Sequence, residues 1–334
     1  MNGKSILVTG GTGSFGKKFI SIVLKKFKPK RLIVFSRDEQ KQFNLQKRFP
    51  ESNKSPMRYY LGDVRDYERL NYALKDVDLV VHAAALKHVP IAEYNPFEVI
   101  KTNVIGAQNI IQACLNNNIK KVIALSTDKA CSPTNLYGAT KLASDKLFVA
   151  ANDYKGGLST IFSVVRYGNV MGSRGSVIPY FMSNKNNYSI NITDLDMTRF
   201  NITLNEGVKF VLECYKKMRG GEIFVPKIPS YRIGDLAKAI CPKSKIKIIG
   251  IRPGEKVNEE MVSSHDSVNT IETKNSYIIT PSLKFKNFKK EYLKKFRSAK
   301  NCKKNFSYNS KDNPHFLSVK EIKKLIENNL KDFE

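Results

Sequence analysis

The chain has 334 residues, is 41% hydrophobic and 26% charged, and carries a formal net charge of +27. That length can bury a full core in one large domain or two. Five scattered cysteines (114, 131, 214, 241, 302) without a CxxC, no apolar run of ~18 residues, and a start (MNGKSILVTGG) lacking a signal peptide's apolar segment argue against a disulfide frame, a metal site and a membrane span, and predict a cytoplasmic protein. The positive charge admits a nucleic-acid binder. Its lysines are diffuse, however, and thicken only after residue 280 without a base-reading motif. The expectation is therefore no nucleic-acid partner and a field that suits a phosphorylated small substrate.

In chain order, SILVTG (5–10) reads as a buried strand followed by a helix over 14–27. RLIVFS (31–36), MRYYLGDV (57–64), VDLVVHAAA (77–85), KKVIALST (120–127) and TIFSVVRYGNV (160–170) are further strands. Helices are predicted near 66–75, over 96–117 and over 135–153. Val/Ile/Leu runs without alternation belong to strands covered on both faces. Their repetition with helices predicts an α/β fold: a doubly wound parallel Rossmann sheet with a smaller mixed α/β C-terminal substrate domain. The boundaries read as 1–170, with a returning segment near 200–228, and 171–334. The tail 318–333 is patterned as an amphipathic helix.

TGGTGSFG (9–16) lies between a strand and a helix. Gly10, Gly13 and Gly16 allow a tight turn and close approach of backbone to a pyrophosphate, and Thr12, Ser14 and Phe15 complete the cofactor turn. The second strand ends in Ser36-Arg37-Asp38, with Lys41 a turn later. Arg37 and Lys41 suit a ribose 2′-phosphate, so NADP is favoured; Asp38 keeps NAD as the alternative. Asp63 and Val64 are placed beside the adenine. The turn 82–90 is placed along the cofactor through Ala83 and Lys87, with Lys87 also a substrate contact.

In STDKACSPTNLYGATK (126–141), Tyr137 and Lys141 are i and i+4 on one helix face. A nearby ammonium stabilises a phenolate, and Thr127 can bond the same substrate oxygen.

With these residues the chain resembles the extended short-chain dehydrogenase/reductases, and within them the inverting UDP-N-acetylglucosamine 4,6-dehydratases that open pseudaminic acid synthesis. The resemblance is carried by TGGTGSFGK, SRDEQKQ, HAAALKHVPIAEYNP, ALSTDKA, NLYGATKLASDKLF, VVRYGNVMGSRGSV, MTRF, GGEIFVPKIPS and IGIRPGEK. It implies that Tyr137 takes the C4 hydroxyl proton, Lys129 removes the C5 proton and Asp128 is the acid for the C6 oxygen. Hydride transfer alone needs no second acid/base pair, whereas elimination does. A lysine base must be neutral; burial near Lys141 and the nicotinamide lowers its pKa, and an ionised Asp128 raises it. Tyr137, Lys129 or a water could return the proton to C5.

The resemblance further implies that Asn169 and Val177 meet the nucleotide sugar, that Val170 to Arg174 close over the nicotinamide, and that Arg199 and Arg252 clamp the diphosphate. Glu255 would grip a ribose hydroxyl. The substrate implied is UDP-GlcNAc and the assembly a homo-oligomer, hexameric in that family. Asn201 stands where the pattern expects Trp, and Asn258 where it expects His. The alternatives are a dehydratase of another UDP-sugar, to which the two Asn departures beside the substrate loops point, a nucleotide-sugar 4-epimerase, which lacks the Asp-Lys doublet, and a silent basic binding module, which has no use for Thr127, Tyr137 and Lys141.

Overall fold

The computed structural model describes residues 1–173, 176–281, 288–296 and 298–329. Strands β1 (Ser5–Thr9), β2 (Arg31–Ser36), β3 (Met57–Leu61), β4 (Leu79–His82), β5 (Lys121–Thr127) and β6 (Ile161–Tyr167) alternate with helices. These helices are α1 (Ser14–Lys26), α2 (Glu39–Arg48), α3 (Tyr67–Ala73), α4 (Val89–Tyr94), α5 (Pro96–Ile100), α6 (Gly106–Asn116) and α7 (Leu136–Tyr154). The six strands lie parallel in the order β3-β2-β1-β4-β5-β6. β1 is buried along its whole length, as are β2 from Leu32 onward and all four residues of β4. This is the doubly wound order, and its crevice opens above β1 and β4, where the winding reverses.

Beyond β6 come β7 (Asn169–Val170), α8 (Val177–Ser183), β8 (Ser189–Ile192), β9 (Thr198–Ile202), α9 (Leu204–Lys217) and β10 (Ile223–Pro226). They are followed by β11 (Ser230–Arg232), α10 (Ile233–Ile240), β12 (Lys245–Ile248), β13 (Glu260–Val262), β14 (Thr270–Glu272) and β15 (Ser276–Ile279). Strand β10 joins the large sheet parallel to β6, and β15 and β14 extend it antiparallel. A second apolar cluster forms apart from the sheet, from Phe181 on α8, Ile190 on β8, Tyr231 on β11 and Leu236 on α10. The 318–333 pattern forms a helix at Val319–Asn328 that adds Ile322 and Ile326 to this cluster.

Two elements depart from expectation. The helix over 96–117 is interrupted: Lys101–Ile105 is a π turn between α5 and α6. The interruption carries Asn103, which is buried and exchanges hydrogen bonds with the Leu86 backbone, its Oδ1 accepting from Leu86 N at 2.9 Å and its Nδ2 donating to Leu86 O at 2.8 Å. A π turn inside an α-helix frequently marks a functional site. The strand over 160–170 ends at Tyr167, and Asn169–Val170 leaves to pair with β9. Gly168 permits the switch, since a Cβ there would lie 2.4 Å from Phe200 Cβ.

Among the described residues no helix is long and apolar enough to cross a membrane, and no cluster of three metal-ligating side chains occurs.

Candidate active site

A cleft of about 1010 Å³ opens at the C-terminal ends of the parallel strands. Gly10, Thr12, Gly13, Ser14, Phe15 and Gly16 form one wall. Gly10 has φ +65°, and a Cβ there would meet Ala84 N at 2.9 Å. At Gly16 a Cβ would sit 2.4 Å from Gly11 O. No side chain caps α1, and its first turn holds no acid. The N-terminal N–H groups and the helix dipole thus face the cleft without a competing carboxylate, a cradle that fits the pyrophosphate of a dinucleotide.

Ser36, Arg37, Lys41 and Val64 line the far end of this wall. Asp38 accepts from Lys41 N at 2.9 Å, capping α2, and pairs with the Lys41 ammonium. Asp63 does not reach the cleft wall. It is clamped by Arg65, whose Nε and backbone N each donate at 2.9 Å, and Arg37 stands 3.5 Å away. Burial alone would raise Asp63, but these hydrogen bonds and charges hold its carboxyl below the ordinary value.

The turn after β4 is fixed from below. Thr9 Oγ1 accepts from Ala83 N (3.1 Å) and Ala84 N (3.2 Å), which leaves its O–H to donate to His82 Nδ1 at 2.9 Å. Asn103 holds Leu86. Ala83 and Lys87 are thereby presented to the cleft. Desolvation and the charge of Lys129 push the Lys87 ammonium down.

β5 ends at Thr127, and Asp128–Ala130 make one 3₁₀ turn. Asn135 caps α7 by accepting from Gly138 N at 2.8 Å. Gly138 lets the helix close onto the turn, because a Cβ there would lie 2.2 Å from Lys129 O. The fold therefore gathers Thr127, Lys129, Tyr137 and Lys141 on one stretch of wall. Lys141 Nζ donates to Leu125 O at 2.8 Å, and burial lowers its pKa against the pull of Asp145. Burial pushes the Tyr137 phenol up to about 12, opposed by the Lys129 charge.

Asp128 is fully buried behind the wall. Its Oδ1 accepts from Thr127 Oγ1 at 2.9 Å and from Lys129 Nζ at 3.1 Å. Burial and the nearby Glu259 raise its pKa against the attraction of Lys129. The Lys129 ammonium also meets Glu259 Oε1 at 3.0 Å and Asn169 Oδ1 at 3.4 Å. The depression expected for Lys129 is not what this arrangement yields. Burial does lower it, but the two carboxylates outweigh burial and hold it above its ordinary value.

On the substrate side, Asn169, Val170, Arg252 and Glu255 line the cleft, with Arg252 and Glu255 3.9 Å apart. Val177 instead packs against the second apolar cluster. Arg199 is buried away from the cleft wall, donating to Thr198 O (2.8 Å), Val257 O (3.0 Å) and Lys256 O (2.9 Å). These carbonyls occupy the donors that a diphosphate would need. Arg174 lies outside the described residues. Asn201 is buried in β9, and Asn258 Oδ1 accepts from Thr198 Oγ1 at 2.7 Å.

Sequence reasoning missed Glu259. It follows the RPGEK block but stands 130 positions from Lys129, and no spacing rule links the two.

Residues 6–281 match the family described as polysaccharide biosynthesis protein. The chain is 56% identical over 329 residues to the inverting UDP-N-acetylglucosamine 4,6-dehydratase of Campylobacter jejuni, covering 97% of this chain and 98% of that protein. It is 41% identical over 331 residues to the UDP-glucose 4-epimerase of Rickettsia typhi, covering 97% and 95%. The solved structure of Pen from Bacillus thuringiensis superposes with a TM-score of 0.89 at 41% identity over 98% of each chain. The chain therefore belongs to the polysaccharide biosynthesis protein family, and over nearly its full length it is similar to an inverting UDP-N-acetylglucosamine 4,6-dehydratase.

Proposed function

We propose that the protein is an NADP-dependent inverting UDP-N-acetylglucosamine 4,6-dehydratase, a hydro-lyase forming UDP-2-acetamido-2,6-dideoxy-β-L-arabino-hex-4-ulose. The observation that carries this reading is Lys129 on the same stretch of cleft wall as Tyr137, with Asp128 directly behind it and bonded to both Lys129 Nζ and Thr127 Oγ1, a second acid/base pair beside the reductase set. The nicotinamide, when bound, supplies the redox chemistry at C4 and C6 and ends in its starting state.

The chain's residues do the proton work. Tyr137 takes the O4 proton, helped by the Lys129 and Lys141 charges. The resulting ketone acidifies C5, Lys129 removes the C5 proton, and Asp128, which burial favours in the neutral form, protonates the departing C6 oxygen. Asn169 and Arg252 are assigned to the diphosphate and Glu255 to a ribose hydroxyl, for each lines the cleft. Arg37 and Lys41, both on the cleft wall, suit a ribose 2′-phosphate and favour NADP over NAD. The reading extends to a homo-oligomer in the cytoplasm that supplies a pseudaminic acid precursor.

A 4-epimerase is the second reading, favoured by the 41% identity to the Rickettsia protein. Mass spectrometry of UDP-GlcNAc incubated with substoichiometric NADP⁺ separates the two. The dehydratase reading expects a product lighter by one water without net cofactor reduction. A product of unchanged mass identifies the epimerase.

A further inference from the structure

We propose that Glu259 is a positioning residue for the elimination: its carboxylate holds the Lys129 ammonium at the cleft and receives a proton from it when Lys129 becomes the C5 base. The proposal rests on the dehydratase reading above.

Lys129 Nζ has three acceptors, Asp128 Oδ1, Glu259 Oε1 and Asn169 Oδ1, at 3.1, 3.0 and 3.4 Å. An ammonium has three N–H donors and no lone pair, so this arrangement suits the charged form and leaves no site for an incoming proton. Before it works as a base, Lys129 must give one proton away. Asp128 is poorly placed to take it, since its role as acid at the C6 oxygen requires it to carry its own proton at that moment. Glu259 stands as close as Asp128 does, and each has one buried oxygen without a hydrogen-bond partner among the described residues, Glu259 Oε2 and Asp128 Oδ2. Burial would raise Glu259, but the Lys129 and Arg199 charges hold its carboxyl below the ordinary value, so Glu259 starts ionised and able to accept while Asp128 is favoured neutral.

Glu259 stands behind the cleft wall, and its carboxylate meets the reaction through Lys129 Nζ, 3.0 Å away. Its backbone is pinned on both sides: its N–H donates to Ser310 Oγ at 2.9 Å, and Ser310 N donates to its carbonyl at 2.7 Å. The charged and titratable groups facing the pair are Asp128, Tyr137, Lys87, Arg199, Tyr231 and Lys256. Arg199 Nε, 3.9 Å from Oε1, balances the carboxylate while it is ionised.

The protons balance. Transfer from Nζ to Glu259 leaves a neutral amine and a neutral acid. The amine takes the C5 proton, and Asp128 gives its proton to the C6 oxygen, which leaves as water. The site resets when Lys129 passes a proton to Asp128 and Glu259 returns one to Lys129. The O4 proton taken by Tyr137 offsets the one that C5 regains.

The test is the pH dependence of kcat and KM for UDP-GlcNAc with wild type, Glu259→Gln and Glu259→Asp. With Gln, solvent must take the Lys129 proton. The expectation for this variant is a kcat lowered by about a hundredfold near neutral pH that climbs about tenfold per pH unit, with KM within about twofold. Wild type is expected to be flat over the same range, and Asp, which keeps the carboxylate, to stay flat and only several-fold slower. A Gln variant close to wild type, or equally depressed at every pH, overturns the proposal, as does a sloped Asp profile. If the Gln variant does not fold, the Asp profile decides alone: flat supports the role and sloped overturns it. No conversion by wild type condemns the dehydratase reading, and this role falls with it.

Discussion

Lys129 is the side chain on which the chemistry turns. Two carboxylates and an amide oxygen surround its ammonium, which nevertheless opens onto the cleft. Lys129→Ala should lower kcat by about a hundredfold or more, the usual worth of a positioned acid/base group, while NADP affinity measured by calorimetry changes little. Near-normal turnover would remove Lys129 from the base role. At the other end of the cleft, Arg37→Ala should raise the NADP KM about tenfold and leave NAD nearly unaffected, because only the 2′-phosphate uses a charge-assisted donor there. Steady-state kinetics with both cofactors checks this. The doublet, Tyr137 and Lys141 were legible because they lie within fifteen residues of one another along a strand, a turn and a helix. Glu259 was not, because only tertiary folding brings it to Lys129. The Arg65 and Arg37 contacts of Asp63 were not legible for a related reason: the pattern GDV carries no sign of them.

The joint between the 128–130 turn and α7 sets the spacing of the acid/base groups. Gly138 makes it possible, since any Cβ would enter the Lys129 carbonyl. Gly138→Ala should cost about 1–3 kcal/mol of stability through overpacking and displace the doublet from Tyr137. Urea unfolding and turnover together check it; a variant with wild-type values in both would show that the contact is slack. The start of α7 was readable, since the sequence places it near residue 135, where Asn135 caps the helix. The π turn at 101–105 was not, because its cause is the demand that Asn103 satisfies the Leu86 backbone from another part of the chain. The same holds for the break at Gly168, which answers to Phe200 on β9.

Across the molecule, the N-terminal half was readable because its inner strands are apolar runs, buried throughout in β1 and β4, while the edge strand β3 is partly exposed. The C-terminal half mixes short strands that, among the described residues, serve four sheets, and a separate apolar cluster, so local pattern does not say which partner each strand takes. The sheet itself carries a pH signature. His82, buried at the end of β4, is held neutral with its pKa lowered to about 3 by burial and by Lys141. Above about pH 6.5 both states leave it neutral; below that the unfolded chain binds a proton that the fold refuses. Stability should therefore decline as pH falls from about 6.5, by about 1.4 kcal/mol per pH unit from this group, and His82→Asn should lessen that slope in urea titrations at several pH values. The central claim, that this fold eliminates water from C5 and C6 and inverts C5, is tested most directly by NMR of UDP-GlcNAc turned over in D₂O with catalytic NADP⁺. The account predicts a 4-keto-6-deoxy product with one deuterium at C5 and the L configuration there. A product that retains the D configuration at C5, or a 4-epimer with its C6 hydroxyl intact, would contradict it.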